Sequence, residues 1–217
     1  MKDFKIVWSA RSECGPNRKK NEDTIFPAIS GSSKPPFKAA VCDGLGGHVN
    51  GDVASKIAAD TLLEEITDLN QIITEANKNI LKYQDKNPSS LGMGTTMTAI
   101  SIDSDALMKI GHVGDSRCYV LSDRNLIKVT EDQNVPGYQN VLKQALGSNE
   151  KLNIQEVDFQ LQVGDVVFLC SDGLYNEVGE EYIKKKMQDG ISADTFVGEV
   201  LLLNPKDNVS AIVINLV

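Results

Sequence analysis

The stretch FKAAVCDGLGGHVNGDVASKIAADTLLEEI, residues 37–66, changes its hydrophobic period halfway. From Phe37 to Gly44 the apolar residues are nearly continuous, which reads as a mostly buried strand that stops at Gly44. GLGGHVNG (44–51) is too rich in glycine to be anything but a turn. From Asp52 onward Val53, Ile57, Ala58, Leu62 and Ile66 recur at three- and four-residue steps, the period of an amphipathic helix. An acid, Asp43, therefore stands where a buried strand gives way to a glycine turn and then to a helix.

Outward from this segment the pattern stays mixed. FKIVWSA (4–10) alternates like a strand, and SGSSKPP (30–36) has loop composition. A second helix is expected from Asn70 to Tyr83, with Ile72, Ile73, Ala76, Ile80 and Leu81 on its apolar side, ended by NPSS. TTMTAISI (95–102), ALMKIGHVG (106–114), RCYVLS (117–122) and NLIKVT read as strands. VPGYQNVLKQALG reads as a loop leading into a short helix. NIQEVDFQL and DVVFLCSD return to strand, EEYIKKKM and DTFVGEVLLL to helix, and NVSAIVINLV to a final strand. Helices grouped in pairs between runs of strands point to packed antiparallel sheets flanked by helices rather than βαβ units.

The 217 residues allow one domain, 1–217, with a substantial core, and 41% hydrophobic residues mark an ordinary globular chain. Acidic residues outnumber basic ones 30 to 22, a net charge of -8, which disfavours nucleic acid and anionic membrane as partners. Cys14, Cys42, Cys118 and Cys170 show no CxxC spacing, and three of them lie in apolar runs, as expected of buried thiols in a reducing compartment. With no signal-like or membrane-length apolar run, a cytoplasmic protein is expected.

Acids recur where apolar strands end in glycine or polar turns: Asp43 in VCDG, Asp115 in VGDSR, Asp172 in LCSDG. Asp207 in PKDN precedes the last strand, and Glu22 and Asp23 pair in NED. A strand end holds a carboxylate rigidly, and converging carboxylates repel unless cations lie between them. Oxygen ligands without a Cys or His cluster suit Mg²⁺ or Mn²⁺ rather than zinc. Asp-Gly is also a common turn pair, so one such acid alone would carry little weight.

Seven fragments, RKKNED (18–23), VCDGLGGH (41–48), GMGTT (92–96), GHVGDSR (111–117), TED (130–132), CSDGL (170–174) and KDN (206–208), resemble, in order, those of the PP2C-type protein phosphatases, especially the compact bacterial members. The resemblance implies an αββα sandwich with a two-cation centre at one end. It also implies hydrolysis of phosphoserine and phosphothreonine by direct attack of a hydroxide shared by two Mn²⁺ or Mg²⁺ ions. Asp43 would bridge both ions, with the Gly44 carbonyl as a further ligand. Asp172 and Asp207 would complete one ion's coordination, and Glu22 would act on the other through waters. Arg18 would hold the substrate phosphate with its planar fork. Asp115 would serve a third, weaker ion. Phosphoserine and phosphothreonine proteins would be the partners, a cognate serine/threonine kinase among them.

Beside these roles, Asp23 and Asn208 read as supports, Thr95 and Thr96 as locally bonded strand residues, and Arg117 as a structural ion-pair partner. Ser171 lacks a histidine to activate it, and no GxxxxGK[ST] loop points to a nucleotide hydrolase. The chain departs from the family at three positions. Leu45 and Gln133 stand where some members carry histidine, and Asn176 where some place another acid for the third ion. His48 reads as a loop or helix-entry residue rather than the general acid. The span from Asp132 to Asp172 is short, implying a reduced flap.

Overall fold

The computed structural model describes residues 4–46 and 49–217. The elements run β1 (Ile6–Glu13), β2 (Asp23–Phe26), β3 (Gly31–Ser33), β4 (Phe37–Asp43), α1 (Gly51–Asp60), α2 (Leu69–Lys86), β5 (Met97–Ile102), β6 (Leu107–Val113), β7 (Arg117–Ser122), β8 (Asn125–Lys128), β9 (Asn134–Val135), β10 (Tyr138–Leu142), β11 (Gln155–Gln160), β12 (Val166–Cys170), α3 (Asp172–Gln188), α4 (Ala193–Leu201) and β13 (Val209–Leu216). One antiparallel sheet has the order β3-β1-β13-β12-β7-β8, the other β11-β6-β5-β4-β2, and β9 and β10 form a separate hairpin.

Three apolar layers follow from the two-residue period of the strands. In β4, Ala39 and Val41 pack between the sheets while Ala40 and Cys42 face α1 and α2. In β12, Val167 and Leu169 join the inter-sheet core, and Phe168 and Cys170 lie under α3 and α4. β13 divides likewise, Ile212 and Ile214 inward, Ala211 and Val213 towards the helices. Central strands with both faces covered need near-continuous apolar sequence, which is why AAVC, VVFLC and SAIVI lack polar alternation. The outcome is the expected αββα sandwich.

Two of the helices carry their own start signals. Asp68 accepts from the Gln71 N–H at 3.1 Å to cap α2, and Ser192 accepts from the Thr195 N–H at 3.2 Å to cap α4. The first helix ends at Asp60, short of the expected Ile66. The Thr61 hydroxyl donates to the Ile57 carbonyl, and a tight turn at Thr61–Leu63 follows. The Lys38 ammonium then donates to the carbonyls of Leu62, Glu64 and Ile66 at 3.0, 3.3 and 2.9 Å, replacing helical partners for this segment.

Other expectations are corrected. The stretch after Val135 forms the β9–β10 hairpin and contains no helix. Pro136-Gly137 forms its turn, with Gly137 at φ +83°, and Leu146 instead bridges to Thr95. The 30–36 loop contains the short β3, paired to β1. Helix α3 begins at Asp172, well before EEYIKKKM, and Gly179 (φ 73°, ψ 166°) breaks it into two segments. Gly173 hid the first segment, since glycine weakens a helical pattern. A Cβ there would lie 2.0 Å from the Asn208 carbonyl oxygen, so the helix start must approach β13 through a residue without a side chain.

Candidate metal centre

At one end of the sandwich the inter-sheet residues change from apolar to polar without a change in period. Continuing the inward-facing positions of each strand gives Ser12, Asp23, Asp43, Thr96, Thr98, His112, Ser171 and Ser210. Asp23 opens β2 and pairs with Asp43 at the end of β4. Its Oδ2 lies 2.6 Å from Ser210 Oγ, which is 2.8 Å from Ser12 Oγ, so hydroxyls of the facing sheet hold this carboxylate. Asp115 follows the left-handed Gly114 after β6, Asp172 opens α3, and Asp207 precedes β13.

Four of the acids have partners among neighbouring side chains. The Asn134 amide donates to Asp115 Oδ2 at 2.9 Å, and the Tyr175 hydroxyl donates to the Asp115 carbonyl at 3.1 Å. Asn176 donates to Asp172 Oδ2 at 3.3 Å. Arg18 lies 2.5 Å from Asp207 Oδ2 and 3.9 Å from Glu22 Oε2. Asn208 ties the Arg18–Glu22 loop to β13, accepting from the Glu22 N–H at 3.0 Å and donating to the Lys20 carbonyl at 3.1 Å. The backbone at Gly44 is equally confined. Its N–H donates to the Glu22 carbonyl, and a Cβ would meet Gly51 O at 2.4 Å and Glu22 O at 2.6 Å.

The electrostatics are those of an acid cluster short of positive charge. Burial raises Asp43 well above the usual carboxylate range, and Asp23, Asp172, Asp115 and Asp207 raise it further. Burial, then Asp115 and Asp207, push Asp172 up to about 7; burial pushes Asp23 up to about 6. Glu22 and Asp115 are raised chiefly by burial. Burial opposes the charge of Arg18, but Asp207, Glu22 and Asp43 raise its pKa overall.

Asp172 Oδ1 is buried with no hydrogen-bond donor, and the side chain lies within hydrogen-bonding reach of the Asp43 carboxylate. An orphaned carboxylate oxygen facing other carboxylates is a donor set for a hard cation, and an all-oxygen set fits Mn²⁺ or Mg²⁺. Among the described residues, no three His, Cys, Asp or Glu side chains are already gathered into a set able to hold a metal ion. The amides of Asn134 and Asn176 and the Arg18 guanidinium occupy oxygens of Asp115, Asp172 and Asp207 instead.

Sequence reading missed Asp52, which lies 2.5 Å from the Lys20 ammonium and raises Glu22; its position opening the helix after the Asp43 turn was the available signal. Arg117 is the structural ion-pair partner expected: it grips Asp132 through Nε at 3.0 Å and a terminal nitrogen at 2.6 Å, and lies 3.6 Å over the Tyr175 ring. Gln133 is a brace, accepting from the Gly114 N–H at 3.0 Å and from Gln144 at 2.8 Å. His48 lies outside the described residues. A polar groove of about 450 Å³ lined by Glu131, Gln133, Lys143 and Gln155 contains none of the clustered acids. No helix among the described residues is long and apolar enough to cross a membrane.

Residues 16–201 match the family model described as Protein phosphatase 2C. The chain is 32% identical to the serine/threonine phosphatase stp of Listeria monocytogenes serotype 4b, over 94% of this chain and 93% of that protein. It is 30% identical to the serine/threonine protein phosphatase PstP of Mycobacterium tuberculosis, over 98% of this chain and 45% of that one. Among solved structures, the catalytic domain of PstP in complex with two manganese ions superposes with a TM-score of 0.86 at 28% identity, covering 99% of this chain and 100% of the other. With the fold, the acid cluster and these relatives in agreement, the chain belongs to the protein phosphatase 2C family and is a metal-dependent serine/threonine phosphatase.

Proposed function

We propose that the chain works as a single domain, residues 1–217, hydrolysing phosphoserine and phosphothreonine in cytoplasmic proteins, a cognate serine/threonine kinase among them. The observation that carries the site assignment is the buried Asp172 Oδ1, which has no hydrogen-bond donor and lies in a group of carboxylates that includes Asp43 and whose proton affinities are raised. Asp43, with the Gly44 carbonyl, would be shared between two Mn²⁺ or Mg²⁺ ions; Asp172 and Asp207 would serve one of them and Glu22 the other. Asp115 would hold a third ion more weakly. Bound cations supply Lewis acidity and neutralise charge during in-line phosphoryl transfer to water.

Arg18 is the residue for the phosphate. Its guanidinium already bridges Asp207 and Glu22, and its fork can exchange that contact for two phosphate oxygens. Asp43, Asp172 and Asp207 must be ionised to act, and the raised proton affinities of Asp43 and Asp172 make cation binding compete with protons. Asn208 and Asp23 keep the loop and the strand ends in place. The four free cysteines fit a reducing compartment.

The test is phosphate release from a phosphoserine peptide with purified protein. Chelator should abolish it, excess Mn²⁺ should restore it, and Asp43→Asn should remove it at low Mn²⁺. Full activity of Asp43→Asn under that condition would refute the ligand assignment.

A further inference from the structure

We infer that Thr96 is a positioning residue for Asp43 and, through Ser116, for Asp115, so that one buried hydroxyl sets the spacing of two acids and with it the cation affinity of the centre. The inference rests on the site assignment proposed above. Thr96 and Asp43 exchange two hydrogen bonds: the Asp43 N–H donates to Thr96 Oγ1 at 3.0 Å, and the Thr96 N–H donates to the Asp43 carbonyl at 2.8 Å. The Thr95 hydroxyl also donates to that carbonyl at 2.9 Å. Thr96 Oγ1 lies 2.8 Å from Ser116 Oγ, one residue beyond Asp115. Ser116 is held in turn by the Thr98 hydroxyl, which donates to its carbonyl at 2.8 Å.

The turn before Asp115 also rests on the same side chain. A Cβ at Gly114 (φ +114°) would come within 2.6 Å of Thr96 Cβ. Thr96, Thr98 and Ser116 are buried, so water cannot replace a lost partner. The hydroxyl can serve both neighbours because it accepts from the Asp43 N–H and still shares a proton with Ser116 Oγ. A methyl in its place keeps the volume but leaves the Asp43 N–H without an acceptor and uncouples the two strand ends. Groups that orient ligands from behind in this way shift metal affinity by about 10- to 100-fold when removed.

The experiment compares wild type, Thr96→Val, Thr96→Ser and Ser116→Ala by Mn²⁺ titration calorimetry and by phosphopeptide hydrolysis across Mn²⁺ concentrations. Thr96→Val should bind Mn²⁺ about 10-fold or more weakly. It should need correspondingly more Mn²⁺ for half-maximal activity, with KM for the peptide unchanged at saturating Mn²⁺. Thr96→Ser, which keeps the hydroxyl, should titrate within about twofold of wild type, and Ser116→Ala should weaken binding in the same direction by a smaller factor. A Thr96→Val protein that melts lower in chelator yet binds Mn²⁺ as wild type does would overturn the inference. Should Thr96→Val not fold, Ser116→Ala with unchanged Mn²⁺ affinity would overturn it. A wild type that neither binds Mn²⁺ nor hydrolyses the peptide would remove the proposed function itself.

Discussion

Replacing Asp172 by Asn should stabilise the metal-free protein while weakening its response to cations. Asp172 Oδ2 accepts from Asn176, and an asparagine carbonyl can accept the same bond, so the shape is kept. What changes is charge. Proton affinity at this carboxyl has risen from near 3.8 to about 7, through burial and then repulsion by Asp115 and Asp207. Holding it ionised above pH 7 costs at most ~4 kcal/mol. The side chain retains some contact with solvent, which screens part of that, leaving ~2 kcal/mol.

A carboxyl with a raised pKa binds more protons folded than unfolded, so its ionisation destabilises the fold as pH rises through about 4 to 7, and the penalty is complete above that window. In chelator at pH 8, Asp172→Asn should therefore melt about 4–8 °C above wild type, given roughly 2–4 °C per kcal/mol for a chain of this length. Near pH 4 the two should coincide. Added Mn²⁺ at pH 8 should raise the wild-type melting temperature clearly more than the variant's, which keeps the residues assigned to the other ion. Thermal melts in chelator and in Mn²⁺ at both pH values decide it. A variant that melts below wild type at both, or gains equally at both, would show that Asp172 is an ordinary turn residue.

Arg18→Ala should lower kcat/KM on phosphopeptide by about 2–4 kcal/mol of transition-state stabilisation, with Mn²⁺ affinity nearly unchanged and Lys19→Ala as control; an unchanged kcat/KM would make Arg18 a mere partner of Asp207. Asp115→Asn should retain both tightly bound ions by calorimetry and lose much of its turnover, since Asp115 is assigned to the weakest ion. Gly44→Ala should destabilise the fold by about 3 kcal/mol or more in urea titrations, because its Cβ would press on the Gly51 and Glu22 carbonyl oxygens.

The layers of this fold were legible because central strands covered on both faces write themselves as apolar runs and α2 writes itself as an apolar stripe. The acids were legible for a related reason: an aspartate ending such a run is conspicuous. The hairpin at 134–142 was not, because Val141, Leu142, Ala145 and Leu146 carry helical spacing while the turn at Pro136-Gly137 decides the local pairing. The early start of α3 was hidden by Gly173, whose bare backbone is needed against Asn208. Nor could spacing show that Arg18 rests on Asp207 or that Lys20 reaches Asp52, since those pairs join segments far apart in sequence.

Asn208 joins β13 to the Glu22 backbone 186 positions earlier, and β13 lies in the middle of its sheet between β1 and β12. The sheet and the acid cluster are therefore complete only once β13 has been made. A ribosome-bound chain that has released Arg18, Glu22, Asp43, Asp115 and Asp172 still lacks the strand against which β1 and β12 pair. It exposes two unpaired strand edges and a cluster of acids with no settled geometry. Contacts of such long sequence separation form late and slow folding, and exposed edges invite pairing with other chains in the interval. Hydrolysis of phosphoproteins should thus begin abruptly, once residues 207–216 have docked, rather than build up as the chain emerges.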